Sequence, residues 1–338
     1  MRIVSEAPIE MSEVIVVTGA SAGVGRAVVR EFARRGARIG LIARGAARLA
    51  AAAEEVRHLG GDAICLTADV SHADVIEEAA ERVEREFGPI NIWINNAMTT
   101  VFAPFSEITP DEFRRATDVT YLGCVYGTMA AIRRMRPRNR GTIVQVGSAL
   151  AYRSIPLQSA YCGAKHAVVG FTDSIRCELI HEKSRVHITV VHLPAMDTPQ
   201  FSWCRTRLPN QPQPVPPIFE PEVAAKAIYW AAHHRRRELY VGFPTMKAIY
   251  GEKIAPGAAD RYLAKTGYRS QQADQPLPAD RKDNLFEPAP GEWSAHGIFS
   301  DQASDWSPAT WLGIHRNVAA AALGGVGLAA LAWRAKRK

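Results

Sequence analysis

The 338-residue chain lacks most features that would place it in a special class. Its five cysteines, Cys65, Cys124, Cys162, Cys177 and Cys204, form no CxxC pair and no His/Cys cluster at zinc spacing. That excludes a disulfide-stapled scaffold and a zinc module, expects no metal site, and reads as reduced thiols. Composition has no strong bias: 47% apolar and 22% charged residues exclude a disordered chain and a collagen-like fibre. The N-terminus has no signal-peptide pattern. Glu6, Pro8, Glu10 and Glu13 interrupt it, and Val14–Val17 is too short for an apolar export region, so the body is expected in the cytoplasm. Of the net charge of +7, residues 311–338 supply +5 through Arg316, Arg334, Lys336, Arg337 and Lys338 with no acid. The two arginine-rich runs of the body, 133–140 and 233–237, do not make a nucleic-acid surface, and no nucleic-acid partner is expected.

What is present is an alternation. Short β-branched or apolar runs lie at 14–18, 38–43, 62–67, 90–95, 142–146, 186–192 and 238–241. Helix-like stretches separate them near 24–35, 45–59, 72–87, 111–135, 160–182 and 222–234. Near-continuous apolar strands between helices predict an α/β fold with a doubly wound, Rossmann-type parallel sheet. Its ligand crevice would lie at the carboxyl ends of the strands. The expected organisation is an N-terminal extension (1–11), a catalytic domain (12–265), a Pro/Gly-containing connector (266–310), and an apolar helix with a basic tail (311–338). Seven prolines make 199–221 a loop after the sixth strand. In the connector, Trp293, Phe299 and Trp306 suggest packing onto the body.

The first strand runs straight into Gly19-Ala20-Ser21-Ala22-Gly23-Val24-Gly25 and then a helical pattern. Strand, glycine turn and helix in that order let backbone N–H groups approach a pyrophosphate at a helix N-terminus. Asn95-Asn96-Ala97 follows the fourth strand, Ser148 the fifth, and Tyr161-Cys162-Gly163-Ala164-Lys165 opens the next helix. With its Gly-x-x-x-Gly-x-Gly spacing, this set resembles the short-chain dehydrogenase/reductase family over about residues 12–245. The resemblance implies hydride exchange between a nicotinamide cofactor and a carbonyl or alcohol.

Tyr161 is then the general acid/base. Lys165, four residues on and on the same helix face, tunes it and holds the nicotinamide ribose, while Ser148 orients the substrate oxygen. The same resemblance places Thr18, Gly19, Ser21, Gly23, Val24, Gly25, Asn96, Ala97, Pro194 and Thr198 at the cofactor, with Asp69 and Val70 at its adenine. The second strand ends in Arg44, with no acid before Glu54. A cation there suits a 2′-phosphate, so NADP(H) is favoured over NAD(H). Three positions depart from the family pattern. Thr120 stands where its fourth catalytic residue, an asparagine, is expected. Met98 and Ala195 replace glycines.

The pocket walls are expected from 98–105, 149–158 and 195–217, whose Met98, Phe102, Phe105, Tyr152, Phe201 and Trp203 suit a hydrophobic ketone or secondary alcohol. A homo-oligomer through helices of the 111–135 and 160–182 type is expected from the family. Val318–Trp333 is sixteen residues without a polar side chain, followed by four basic residues among the last five. This is the pattern of a membrane-associated segment or an oligomer-contact helix. The altered Thr120, Met98 and Ala195 motivate an alternative, a catalytically weak NADP(H)-binding sensor or scaffold at a membrane. A 3-ketoacyl or fatty-acyl reductase is a third reading.

Overall fold

The computed structural model describes residues 12–316. Seven parallel strands form the central sheet: β1 (Val14–Thr18), β2 (Arg38–Ala43), β3 (Asp62–Thr67), β4 (Ile92–Asn95), β5 (Thr142–Ser148), β6 (His187–Leu193) and β7 (Glu238–Tyr240). Their spatial order is β7-β6-β5-β4-β1-β2-β3. β1 is buried at every position, as a β-branched strand with covered faces should be. It pairs with β2 on one side (Val16↔Gly40) and β4 on the other (Val16↔Trp93). The order reverses between β1 and β4, which opens the crevice at their carboxyl ends.

Helices α1 (Gly23–Ala33), α2 (Ala46–His58), α3 (Ala73–Phe87), α4 (Pro110–Thr117), α5 (Gly123–Met135), α6 (Ser159–His181) and α7 (Pro221–His233) cover the sheet. One apolar core joins α1, α2 and α7 to one face through Phe32, Leu49 and Ile228. A second joins α3, α5 and α6 to the other through Ile76, Met135 and Leu179. The helix expected over 111–135 is interrupted by a π-turn, Asp118–Leu122, between α4 and α5. Its start is a capping box: Glu112 N donates to Thr109 Oγ1 at 3.3 Å, and Thr109 N donates to Glu112 Oε2 at 2.9 Å.

Beyond β7 the chain continues into α8 (Gly242–Ile254), α9 (Pro256–Ser270) and, later, α10 (Pro308–Ile314). The expected boundary at 265 therefore falls inside α9. The connecting stretch is an ordered element: Leu285, Ala289, Ala295 and Phe299 are buried. Trp293 packs edge-on against Trp203 with ring centres 5.1 Å apart, whereas Trp306 is 58% exposed. Among the described residues no helix is long and apolar enough to cross a membrane, and Val318–Trp333 and residues 1–11 lie outside them.

Candidate active site

In the glycine turn between β1 and α1, close contacts leave no room for a Cβ at Gly19 and Gly25. Gly19 and Gly23 have φ of +68° and +56°. A Cβ on Gly25 would stand 2.1 Å from Gly19 O and 2.5 Å from Asn96 Nδ2. Asn96 Nδ2 donates to Thr18 O at 3.0 Å, and the amides of Asn96 and Ala97 donate to Thr18 Oγ1 at 3.0 and 3.1 Å. Thr18 and Asn96 therefore brace the turn against the end of β4. The first turn of α1 contains no acid and has no side-chain cap at Ala22, leaving a positive helix end toward the crevice.

A cavity of about 430 Å³ runs from this turn across the sheet. At one end lie Arg44, Asp69 and Val70, and at the other Ser148, Tyr161 and Lys165. Gly19, Ser21, Gly23, Val24, Asn96, Ala97, Pro194 and Thr198 line the stretch between, while Thr18 and Gly25 support it from behind. Both ends suit a dinucleotide with a 2′-phosphate, and the glycine turn is a cradle that a Cβ would fill.

Strand β5 delivers Ser148, which is 7% exposed, at the cavity, where its Oγ accepts from Leu150 N at 3.1 Å. Helix α6 delivers Tyr161 and Lys165 one turn apart. Burial pushes the Tyr161 phenol up, while the Ser148 hydroxyl acts in the opposite sense. Burial also lowers the Lys165 ammonium to about 8. Lys165 Nζ lies 5.6 Å from the Tyr161 ring centre and donates to Val146 O at 2.7 Å. Protonated at neutral pH, such a phenol is suited to donate a proton to a forming alkoxide.

Thr120 sits in the π-turn, 1% exposed and off the cavity wall. Its Oγ1 donates to Thr99 O at 2.9 Å and accepts from Thr99 N at 3.1 Å. The hydroxyl thus shapes the wall segment 98–100 and is already engaged on both sides. At the other end Asp69 is oriented by Arg115 and by Ser71, whose N and Oγ donate to Oδ1 at 3.0 and 2.8 Å. Burial alone would raise its carboxyl; these hydrogen bonds outweigh it and hold Asp69 below the usual range.

The substrate wall differs in part from expectation. Met98, Ala149, Leu150, Ile155, Phe201 and Trp203 line the cavity, as do Ala195 and Met196. Phe102 is buried in a separate cluster with Leu157 and Cys204, and Phe105 is 72% exposed. Tyr152 instead donates to Glu238 at 2.8 Å. The missing wall comes from α8 and α9: Pro244, Ala248, Leu263 and Gly267, followed by Gln271. Gln158 Nε2 donates to Gln271 Oε1 at 2.7 Å, and Gln271 Nε2 donates to the carbonyls of Pro156 and Gly267. Nothing in the sequence motif marks Gln271; the proline that starts α9 is the only local signal of its helix.

Residues 13–207 match the family model described as short chain dehydrogenase. A Bacillus subtilis protein called uncharacterized oxidoreductase YxnA is 34% identical over 277 residues, 81% of this chain and 78% of that one. A Danio rerio 3-dehydrosphinganine reductase is 30% identical over 59% of this chain and 61% of its own length. Among solved structures, an alcohol dehydrogenase from the archaeon Thermococcus sibiricus, complexed with 5-hydroxy-NADP, is 26% identical with a TM-score of 0.60. That match covers 68% of this chain and 95% of the other.

Proposed function

The chain belongs to the short-chain dehydrogenase family, which makes it an NAD(P)-dependent oxidoreductase, and we propose that it interconverts a hydrophobic ketone and its secondary alcohol with NADP(H). The observation that carries this reading is one cavity bordered by Arg44 at one end and by Ser148, Tyr161 and Lys165 at the other. The complex of the archaeal alcohol dehydrogenase with 5-hydroxy-NADP supports the choice of cofactor. NADP(H) supplies the hydride. Ser148 binds and orients the carbonyl oxygen, Tyr161 passes it a proton, and Lys165 holds the ribose and favours the charged states around the phenol. Asp69 and Val70 border the adenine, and Arg44 faces the 2′-phosphate.

An apolar wall of Met98, Leu150, Ile155 and Phe201 supports a hydrophobic substrate, and the resemblance to a 3-dehydrosphinganine reductase is in keeping with one. The test is oxidation of NADPH and NADH, followed at 340 nm, with a panel of apolar ketones. Turnover with NADPH and a ketone is expected; cofactor binding without turnover on any ketone or alcohol would favour a sensor instead. The engaged hydroxyl of Thr120 is what favours that second reading.

Helices α5 and α6 expose Met129 and Ile180 and are the faces through which copies of the chain pair. The apolar stretch after Arg316, with its basic end, attaches the enzyme to a membrane surface. Truncation after Arg316 that leaves vesicle binding unchanged would end that idea.

A further inference from the structure

The segment Arg281–Ser300 lies outside the stretch that matches the family model, yet it crosses the cavity at its adenosine end. Its course is set by hydrogen bonds from arginines to backbone carbonyls. Arg281 donates to the carbonyls of Phe201, Ser202 and Cys204, and Asn284 N donates to Trp203 O at 2.9 Å. Arg44 then holds the carbonyls of Asn284, Leu285 and Phe286, and Arg115 Nε donates to Leu285 O at 3.0 Å. Arg48 Nη1 donates to Ala289 O at 2.6 Å. Farther on, the Gly23 amide of the glycine turn donates to Ser294 O at 3.0 Å, and Arg30 Nη2 donates to Ser294 Oγ at 2.7 Å.

The two ends of this strap are anchored by buried side chains, whereas most of its middle is exposed. Leu285 and Ala295 are fully buried, and Asp197 accepts from Phe299 N at 3.0 Å and Ser300 Oγ at 2.6 Å. His296 Nε2 lies 2.9 Å from Glu222 Oε2. Between these anchors Phe286, Glu287 and Pro290–Glu292 are exposed, and the middle is held by Arg44 at Phe286 O, Arg48 at Ala289 O, Gly23 N and Arg30 at Ser294, and the edge-to-face pair of Trp293 with Trp203. Asn284 and Pro288 of the strap line the same cavity as Asp69 and Val70. The strap therefore forms part of the cavity wall beside Asp69 and Val70.

We propose that residues 281–300 form a cofactor-retaining element, in which the bridge 286–294 lifts to admit NADP(H) and closes over its adenosine half. It rests on the NADP(H) reading above. A bridge held mainly by a few hydrogen bonds and one aromatic pair opens locally at low cost, while its buried anchors stay in place. The same carbonyls keep the Arg44 guanidinium at the cavity wall, so closure and placement of the cation facing the 2′-phosphate are coupled.

The test is stopped-flow release of bound NADPH, chased with excess NADP⁺, for the full chain, Trp293→Ala and Leu285→Ala. Neither residue belongs to the proposed catalytic set, and a thermal melt checks that each variant folds. Release at least about fivefold faster in the folded variants is expected, together with slower hydrogen exchange in 284–294 when NADP⁺ is added to the full chain. Release within about twofold of the full chain, or unchanged exchange, overturns the proposal; if Leu285→Ala does not fold, Trp293→Ala decides it. Absence of any NADP(H) binding by the full chain would instead overturn the cofactor reading, and the strap's role with it.

Discussion

Lys165 Nζ donates to the carbonyl of Val146 at 2.7 Å, tying the α6 ammonium to β5 two residues before Ser148. That side chain is 4% exposed, and burial lowers its pKa to about 8. Below that value the ammonium is charged, as its proposed role beside the phenol and ribose requires; above it the charge is lost. Ketone reduction is therefore expected to fall as pH rises through about 8. A pH profile of kcat/KM measures this, and a flat profile from pH 7 to 10 would contradict it.

Arg44 is the cation at the adenosine end of the cavity, and no carboxylate accompanies it at the end of β2. Hydrogen bonds to charged groups contribute about 1.5–3 kcal/mol, or about ten- to a hundredfold in Kd. Arg44→Ala also frees the strap carbonyls of Asn284, Leu285 and Phe286, so it is expected to weaken both cofactors, and NADPH by that factor more than NADH. Fluorescence titration with both cofactors measures it, and equal losses would remove the 2′-phosphate role.

Thr120 hydrogen-bonds both the N–H and the C=O of Thr99. Thr120→Val leaves those buried groups unpaired, at a cost of about 1–3 kcal/mol. A lower Tm with kcat kept within a few-fold is expected, because the hydroxyl stands off the cavity. A collapse of kcat at unchanged Tm would restore Thr120 to the proton pathway.

Glu238, at the start of β7, is 9% exposed at its side chain and accepts from Tyr152 and Tyr240 at 2.8 and 3.0 Å. Burial alone would raise its carboxyl, but His192 and the two tyrosines hold it at about 2. The folded pKa lies below the ordinary value, so this stabilisation is present above about pH 4.5 and is lost as pH falls toward 2. Glu238→Gln should lose about 1–3 kcal/mol at pH 7 and show a weaker acid dependence of stability over that window. Denaturant midpoints at pH 7 and pH 3 measure both.

The sheet was legible because its strands are short apolar runs between turn residues; β1, β2 and β3 have the bounds expected from the sequence. The glycine turn and the Ser148, Tyr161 and Lys165 set were legible because each follows a strand or opens a helix. Helix α8 was not, because it buries only Gly242, Thr245 and Ile249 and leaves Phe243, Tyr250 and Ile254 exposed, without an apolar stripe. The strap was illegible for a deeper reason. Its contacts at 284–286 and 289 are backbone carbonyls, which every residue possesses, so no side-chain pattern records them. The substrate wall was misread at Phe102, Phe105 and Tyr152 because sequence proximity to the crevice does not fix which way a loop side chain packs.

Tyr161 is the proposed proton donor of the reaction. Removing a general acid costs about a hundredfold or more in rate, with cofactor binding left nearly intact. Steady-state NADPH oxidation with an apolar ketone, measured alongside NADPH affinity for the full chain and Tyr161→Phe, separates the two effects. A loss of about a hundredfold or more in kcat, with the NADPH Kd within about threefold, is the predicted result. Undiminished turnover by Tyr161→Phe would contradict the assignment.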